Sequence, residues 1–116
     1  MTVNEYLSKT YKEGGLSKCG EITRIYIDTR PKVICADGYS VSIQASFSHY
    51  CTPRLTFNPG YEECGYTEVE LGFPNMVDEE LLKYAEDPYD PLNSIYAYVP
   101  VELVEEILTK HGGIVN

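Results

Sequence analysis

Apolar and polar positions along this chain change period several times, and each change marks an element. Val3, Tyr6, Leu7 and Tyr11 recur at helical spacing. Ahead of them Thr2-Val-Asn-Glu5 reads as a capping box, in which the Thr2 hydroxyl takes the Glu5 amide and the Glu5 carboxylate reaches back. A helix is predicted from Val3 to Lys12, stopped at Gly14-Gly15. From Glu21 to Thr29 the period falls to two: Ile22, Arg24, Tyr26 and Asp28 alternate with Thr23, Ile25 and Ile27, which predicts a strand that ends before Pro31.

The stretch from Lys32 to Ala45 is predicted to form a β-hairpin turning at Asp37-Gly38, because a tight turn needs positive φ at its centre. On the second arm Val41, Ile43 and Ala45 face one way, and Ser40, Ser42 and Gln44 the other. One face of the sheet is therefore apolar and one polar. Tyr66 to Phe73 alternates again as a further strand, with Glu68 and Glu70 on the outer face. A middle helix opens at Asn75 or Asp78 and runs to Glu86, with Val77, Leu81, Leu82 and Ala85 inward and Asp78, Glu79 and Glu80 favouring its dipole. Ser94 to Val99 is a strand with Ile95, Ala97 and Val99 opposite Tyr96 and Tyr98. Pro100 suits the first position of a last helix, Pro100 to Lys110, whose inner stripe is Leu103, Val104, Ile107 and Leu108. His111 and Gly112-Gly113 close it.

Strands in sequence with short connections argue against a doubly wound sheet. The expected fold is a single α+β domain over residues 1–116. It has an antiparallel or mixed sheet of four to five strands, with an N-terminal, a middle and a C-terminal helix on one face. The segment from Ser46 to Cys64 stands outside this pattern. It carries His49, Tyr50, Cys51, Arg54 and the Asn58-Pro-Gly-Tyr61 turn, and so concentrates contact-forming residues in one long loop.

Charge changes the picture. The net charge is −9 over 116 residues, and it is uneven. Residues 1–36 carry six basic side chains against four acidic ones, whereas residues 62–116 carry thirteen acidic side chains against Lys83 and Lys110. Direct nucleic-acid binding needs a basic face, and the acidic half excludes one there. An acidic half suits a basic partner. No apolar run is long enough to span a bilayer, and Met-Thr-Val-Asn-Glu-Tyr lacks the regions of a signal peptide. A cytoplasmic protein with no membrane partner is expected.

Chemistry adds little. Cys19, Cys35, Cys51 and Cys64 are spread singly, as four free thiols in a reducing compartment would be. His49-Tyr-Cys51 with Cys64 is the best metal candidate, but it lacks the paired spacing of zinc sites, so no metal and no cofactor are expected. His49 beside Cys51 has no third orienting group, and no catalytic residue is assigned. His111 suits a helix C-terminus, where an imidazolium complements the dipole. The eleven tyrosines, against three Phe and no Trp, offer amphipathic contact area.

The segments Lys32 to Ala45, His49-Tyr-Cys-Thr-Pro-Arg54, Glu68-Val-Glu-Leu-Gly-Phe-Pro74 and Tyr96-Ala-Tyr-Val-Pro-Val-Glu-Leu-Val resemble small uncharacterised proteins carried by phages and mobile elements of gut Firmicutes. The resemblance covers most of the chain. It implies a neighbourhood in which small acidic proteins act as counter-defence factors, among them anti-CRISPR proteins that imitate nucleic acid and sponges that sequester nucleotide second messengers.

Three readings follow. In the first, a non-enzymatic acidic protein in the host cell occupies a basic, nucleic-acid-binding surface of a defence complex. Its contacts would be Glu62, Glu63, Glu68, Glu70, Glu79, Glu80, Glu102, Glu105 and Glu106 with Tyr66. In the second, an oligomeric small-ligand binder uses His49, Tyr50, Arg54 and Tyr61. In the third, a small enzyme depends on His49 and Cys51.

Overall fold

The computed structural model describes every residue except Glu21, and of residues 17–19 and 22–25 it describes the backbone alone. The order is α1 (Val3–Lys9), β1 (Glu13–Cys19), β2 (Ile22–Ile27), β3 (Val33–Ile34), β4 (Ser40–Gln44), β5 (Glu68–Gly72), a middle 3-10 helix (Glu79–Tyr84), a 3-10 turn (Pro91–Asn93), β6 (Ile95–Pro100) and α2 (Val101–Lys110). The main sheet is antiparallel throughout, in the order β3-β4-β5-β6, while β1 and β2 form a separate two-stranded ribbon. The α+β class and the three helices near the start, middle and end of the chain are as the sequence predicts.

The capping box forms: Glu5 N–H donates to Thr2 Oγ1 at 3.1 Å and Thr2 N–H donates to Glu5 Oε1 at 3.1 Å. The helix is shorter than expected. It stops at Lys9 because the Thr10 hydroxyl donates to the Tyr6 carbonyl at 2.6 Å, a local bond that competes with further helix. Gly14 and Gly15 are therefore not its stop signal. They lie in β1, beside an irregularity between Glu13 and Gly15. The strand expected from Glu21 pairs with β1 instead of joining the main sheet. Gly20 makes the turn at φ +64°, and Asp28 N–H closes the base on the Lys12 carbonyl at 2.7 Å. The expected directions of residues 22–25, and Glu21 itself, lie outside the described residues.

The hairpin folds as read, with Val33 opposite Val41 and Gly38 at φ +92°. Tyr39 N–H donates to Asp37 Oδ1 at 2.9 Å, an Asx turn. On β6 the simple alternation fails. Val69 faces Val99 and Leu71 faces Tyr96, so two residues, Ala97 and Tyr98, stand opposite Glu70 alone. This bulge puts Tyr98 at φ +52° and lets both Tyr96 and Val99 point inward. Tyr98 N–H then donates to the Tyr50 carbonyl at 3.1 Å instead of to the sheet. The middle helix is 3-10, and Pro100 caps α2 as the last residue of β6. The strand thus passes into the helix without a loop.

Val41, Ile43, Val69, Leu71, Tyr96 and Val99 from the sheet meet Val3, Tyr6 and Leu7 of α1, Leu81, and Val104, Ile107 and Leu108 of α2 in one buried cluster. Both sheet edges are covered. Cys35 bridges Ile114 and Val115 N–H donates to the Ile34 carbonyl at 2.8 Å, while Ala85 bridges Tyr96 at the far edge. Arg30 is 3 % exposed and ties α1 to β4: Nε donates to the Leu7 carbonyl at 3.1 Å and Nη1 to the Ala45 carbonyl at 3.0 Å.

Gly112 and Gly113 both have positive φ, at +93° and +85°. A Cβ on Gly112 would stand 2.8 Å from Ala36 Cβ, whereas one on Gly113 would meet nothing within 4 Å. Gly113→Ala is expected to cost about 1 kcal/mol from the left-handed backbone alone. Gly112→Ala carries the same strain plus the clash, about 2 kcal/mol or more in total, and equilibrium urea unfolding of the two variants side by side measures the difference.

Candidate functional site

The loop of residues 46–61 crosses the polar face of the sheet. Tyr50 N–H donates to Glu70 Oε1 at 3.2 Å, and Thr52 pairs with Glu68 both through the backbone and through its hydroxyl, which donates to Glu68 Oε1 at 2.6 Å. Glu70 is half-buried there, and burial raises its pKa against the lowering effect of the Tyr50 amide. The peptide bond between Thr52 and Pro53 is cis. Arg54 lies over the Tyr50 ring, 5.3 Å from its centroid, and Arg54 Nε donates to the Phe47 carbonyl at 3.2 Å. Tyr50 and Tyr98 rings stand 6.0 Å apart.

His49 does not join that exposed group. Its Nδ1 is 2.6 Å from Ser46 Oγ, and Ser46 is buried. Burial first, and the charges of Arg30 and Arg54 second, press its pKa down to about 4, so the ring is neutral at pH 7. The Cys51 thiol donates to the Ser46 carbonyl at 3.2 Å, and burial pushes its pKa up. His49 and Cys51 thus meet the same serine, one at its hydroxyl and one at its carbonyl. A raised thiol pKa is the reverse of what a nucleophilic cysteine requires. Of the four residues expected to hold a small ligand, Tyr50 and Arg54 are together, His49 is turned inward, and Tyr61 stands 91 % exposed on its turn.

The acidic residues divide between two sides. Glu68 and Glu70 lie on the polar sheet face. Tyr66 belongs to neither side. It is 3 % exposed, packs edge-on to Phe57, and donates its hydroxyl to the Leu55 carbonyl at 2.9 Å. Burial pushes its pKa up to about 12. The expectation of Tyr66 as a surface contact is therefore corrected, since its ring fills the core.

The other carboxylates follow the helical layer. Glu80 pairs with Lys110 of α2 at 3.4 Å, and Glu105 of α2 accepts Val3 N–H of α1 at 2.6 Å. Glu63 lines a shallow cleft of about 400 Å³ with Thr2, Asn4, Glu5 and Ser8 of the α1 region and Cys64. Contacts thus link the middle helix, α2, α1 and the 62–64 segment in one succession. Glu62, Glu63, Glu79, Glu102 and Glu106 are exposed along it.

A second cluster was not visible in the sequence. His111 closes α2 and sits between two carboxylates: Nδ1 is 2.7 Å from Asp37 Oδ2, and Nε2 is 3.2 Å from Asp78 Oδ1. The Tyr39 ring stacks flat on it, with centroids 3.9 Å apart and planes 3° from parallel. Asp78 is 3 % exposed in its side chain and also takes Lys110 Nζ at 2.5 Å. Burial opposes charge on His111, but the hydrogen bonds and charges of Asp37 and Asp78 together outweigh it and raise its pKa. The bond to His111 in turn holds the Asp37 carboxyl below its ordinary range. The only sequence signal was His111 itself at a helix end, since Asp37 and Asp78 are 74 and 33 residues away.

Cys35, Cys51 and Cys64 are buried free thiols, and the side chain of Cys19 lies outside those described. Among the described residues, no three His, Cys, Asp or Glu side chains gather as metal ligands, and no helix is long and apolar enough to cross a membrane. Comparison of the chain with protein-family models, curated proteins and solved structures finds no match.

The two histidines act on stability with opposite signs. His111 binds its proton more tightly when folded, so its contribution is complete below about pH 6.5 and is lost as pH rises through its raised value. His49 is held neutral when folded, so acidification from about 6.5 to about 4 favours the unfolded chain, which takes up that proton. Stability is expected to peak near pH 6.5. Urea midpoints across pH 4 to 9 check this: His111→Gln flattens the alkaline limb, and His49→Gln flattens the acid limb.

Proposed function

We propose that this chain is a non-enzymatic acidic interaction protein that occupies a basic, nucleic-acid-binding surface of a host defence protein. It would act in the host cytoplasm as an anti-CRISPR-like counter-defence factor. The observation that carries this reading is the succession of exposed carboxylates along the helical layer. The carboxylates of Glu62, Glu63 and Glu106 make no hydrogen bond or ion pair to the described residues, and all three residues are exposed. Exposed like charges with no partner in their own fold are available to a basic partner. The resemblance to phage and mobile-element proteins supports the cellular setting.

A second reading rests on Arg54 over Tyr50. A guanidinium stacked on an exposed ring offers a charge and a flat apolar surface side by side, which suits a nucleotide. Glu68 and Glu70 beside it oppose an anionic ligand, so we place this reading second.

Capture from host lysate at low and moderately raised salt tests the first reading. A basic, nucleic-acid-binding protein is expected at low salt and is expected to be lost as salt rises. The triple variant Glu62→Lys, Glu63→Lys and Glu106→Lys is expected to weaken that binding at least tenfold, about 1.4 kcal/mol. Glu68→Gln, on the opposite face, is expected to leave it unchanged. A released nucleotide with no protein partner overturns the acidic-mimic reading in favour of the second.

A further inference from the structure

Residues that follow α2 form a short edge strand. Ala36 N–H donates to the Gly113 carbonyl at 3.1 Å and Val115 N–H to the Ile34 carbonyl at 2.8 Å. Asn116 closes the end, its Oδ1 accepting Ile34 N–H at 3.0 Å and its Nδ2 donating to the Lys32 carbonyl at 2.8 Å. Ile114 is the segment's one apolar anchor on the core, for Gly112 and Gly113 bring no side chains and Val115 is 62 % exposed. At the root of this segment stands His111, whose carbonyl also accepts Asp37 N–H at 3.2 Å.

We propose that segment 111–116 is a pH-gated latch over the β3 edge, held shut by the imidazolium of His111 between Asp37 and Asp78. Both ring nitrogens are within hydrogen-bond distance of a carboxylate, and only the doubly protonated ring can donate to both. Loss of one proton removes a donor and leaves one carboxylate facing a lone pair. Its raised pKa puts that loss above pH 6.5.

Every charged neighbour bears on the sign. Asp37 comes from the hairpin turn, Asp78 from the residue ahead of the middle helix, and Lys110 from α2, where it is shared with Glu80. Lys110 stays paired with Asp78 when His111 is neutral, so the buried carboxylate is not left alone. Tyr39 and Tyr96 lie against Asp78 and stay protonated, since burial raises both. Cys35 is also held in its neutral form by burial. The buried Tyr39 hydroxyl stands against Asp78, whose negative charge helps to keep it protonated. The latch is thus a two-state element whose balance a single proton sets.

Amide exchange, corrected for the intrinsic dependence on pH, tests the proposal when read together with the NMR titration of the His111 ring. Between pH 6 and 9 the protection of Ile34, Ala36 and Val115 is expected to fall at least tenfold with the midpoint of His111, while Leu71 in the central sheet stays protected. His111→Gln is expected to make edge protection independent of pH. Asp37→Asn keeps the acceptor for Tyr39 N–H and is expected to move both midpoints to lower pH together. Edge protection that ignores the His111 midpoint overturns the latch. So does loss of edge and core protection in step, which would mark global unfolding.

Discussion

The fold turns on a carboxylate that water hardly reaches. Asp78 is 3 % exposed in its side chain and draws Lys110 Nζ to 2.5 Å and His111 Nε2 to 3.2 Å. A buried charge is costly unless it is paired and hydrogen-bonded, and breaking such a pair costs about 3–5 kcal/mol because the remaining charge is stranded. Asp78 meets the requirement with the Lys110 ammonium at the end of α2 and the ring of His111, which caps that helix. Through His111 the link runs on to Asp37 in the hairpin turn. Three regions distant in sequence are thus joined at one point: the hairpin tip, the start of the middle helix and the end of α2. The Tyr39 ring stacked on His111 screens the contact from solvent on one side.

That junction has a counterpart at the other end of the core. Arg30 is as deeply buried as Asp78 and finds carbonyls instead of a carboxylate: Leu7 in the last turn of α1 and Ala45 just past β4. The carbonyl end of a helix carries partial negative charge, so a guanidinium there is favoured without a formal counter-ion. Gln44 completes the arrangement by accepting Arg30 N–H at 3.0 Å and donating to the Arg30 carbonyl at 2.9 Å. The two junctions fix α2 and α1 respectively, and the apolar cluster fills the space between them.

Local signals in the sequence were accurate where a short-range bond decides the outcome. The capping box of Thr2 and Glu5, the Asp37-Gly38 turn and the two-fold period of β4 and β5 all depend on residues within a few positions of one another. Legibility failed where a distant or competing bond decides. Gly14-Gly15 resembles a helix stop, but Thr10 had already ended α1 through its own hydroxyl. The Ala97–Tyr98 bulge depends on the Tyr50 carbonyl in a loop almost fifty residues earlier, and no periodicity on β6 announces it. Tyr66 alternates like a surface residue, yet Phe57 and the Leu55 carbonyl from the same long loop enclose it. Of the candidate site, the acidic residues were legible as a count but not as two separate faces. His111 was legible as a helix end but not as the centre of a carboxylate pair.

The division of the acidic residues into those the fold employs and those it does not sharpens the functional argument. Glu5 completes a capping box, Glu105 takes the Val3 amide, Glu80 shares Lys110, Glu68 takes the Thr52 hydroxyl and Glu70 takes the Tyr50 amide. Glu79 and Glu102 stand in first helical turns, where negative charge is favoured. Glu62, Glu63 and Glu106 have no such account. Glu106 has a like charge four residues before it, Glu102, and an opposite one four residues after it, Lys110, but the Lys110 ammonium is taken by Asp78 and Glu80. Glu62 and Glu63 are adjacent and exposed, and Glu63 shares a cleft with Glu5. The carboxylates that the fold leaves without a partner among the described residues thus narrow the nine that the sequence proposes to Glu62, Glu63 and Glu106.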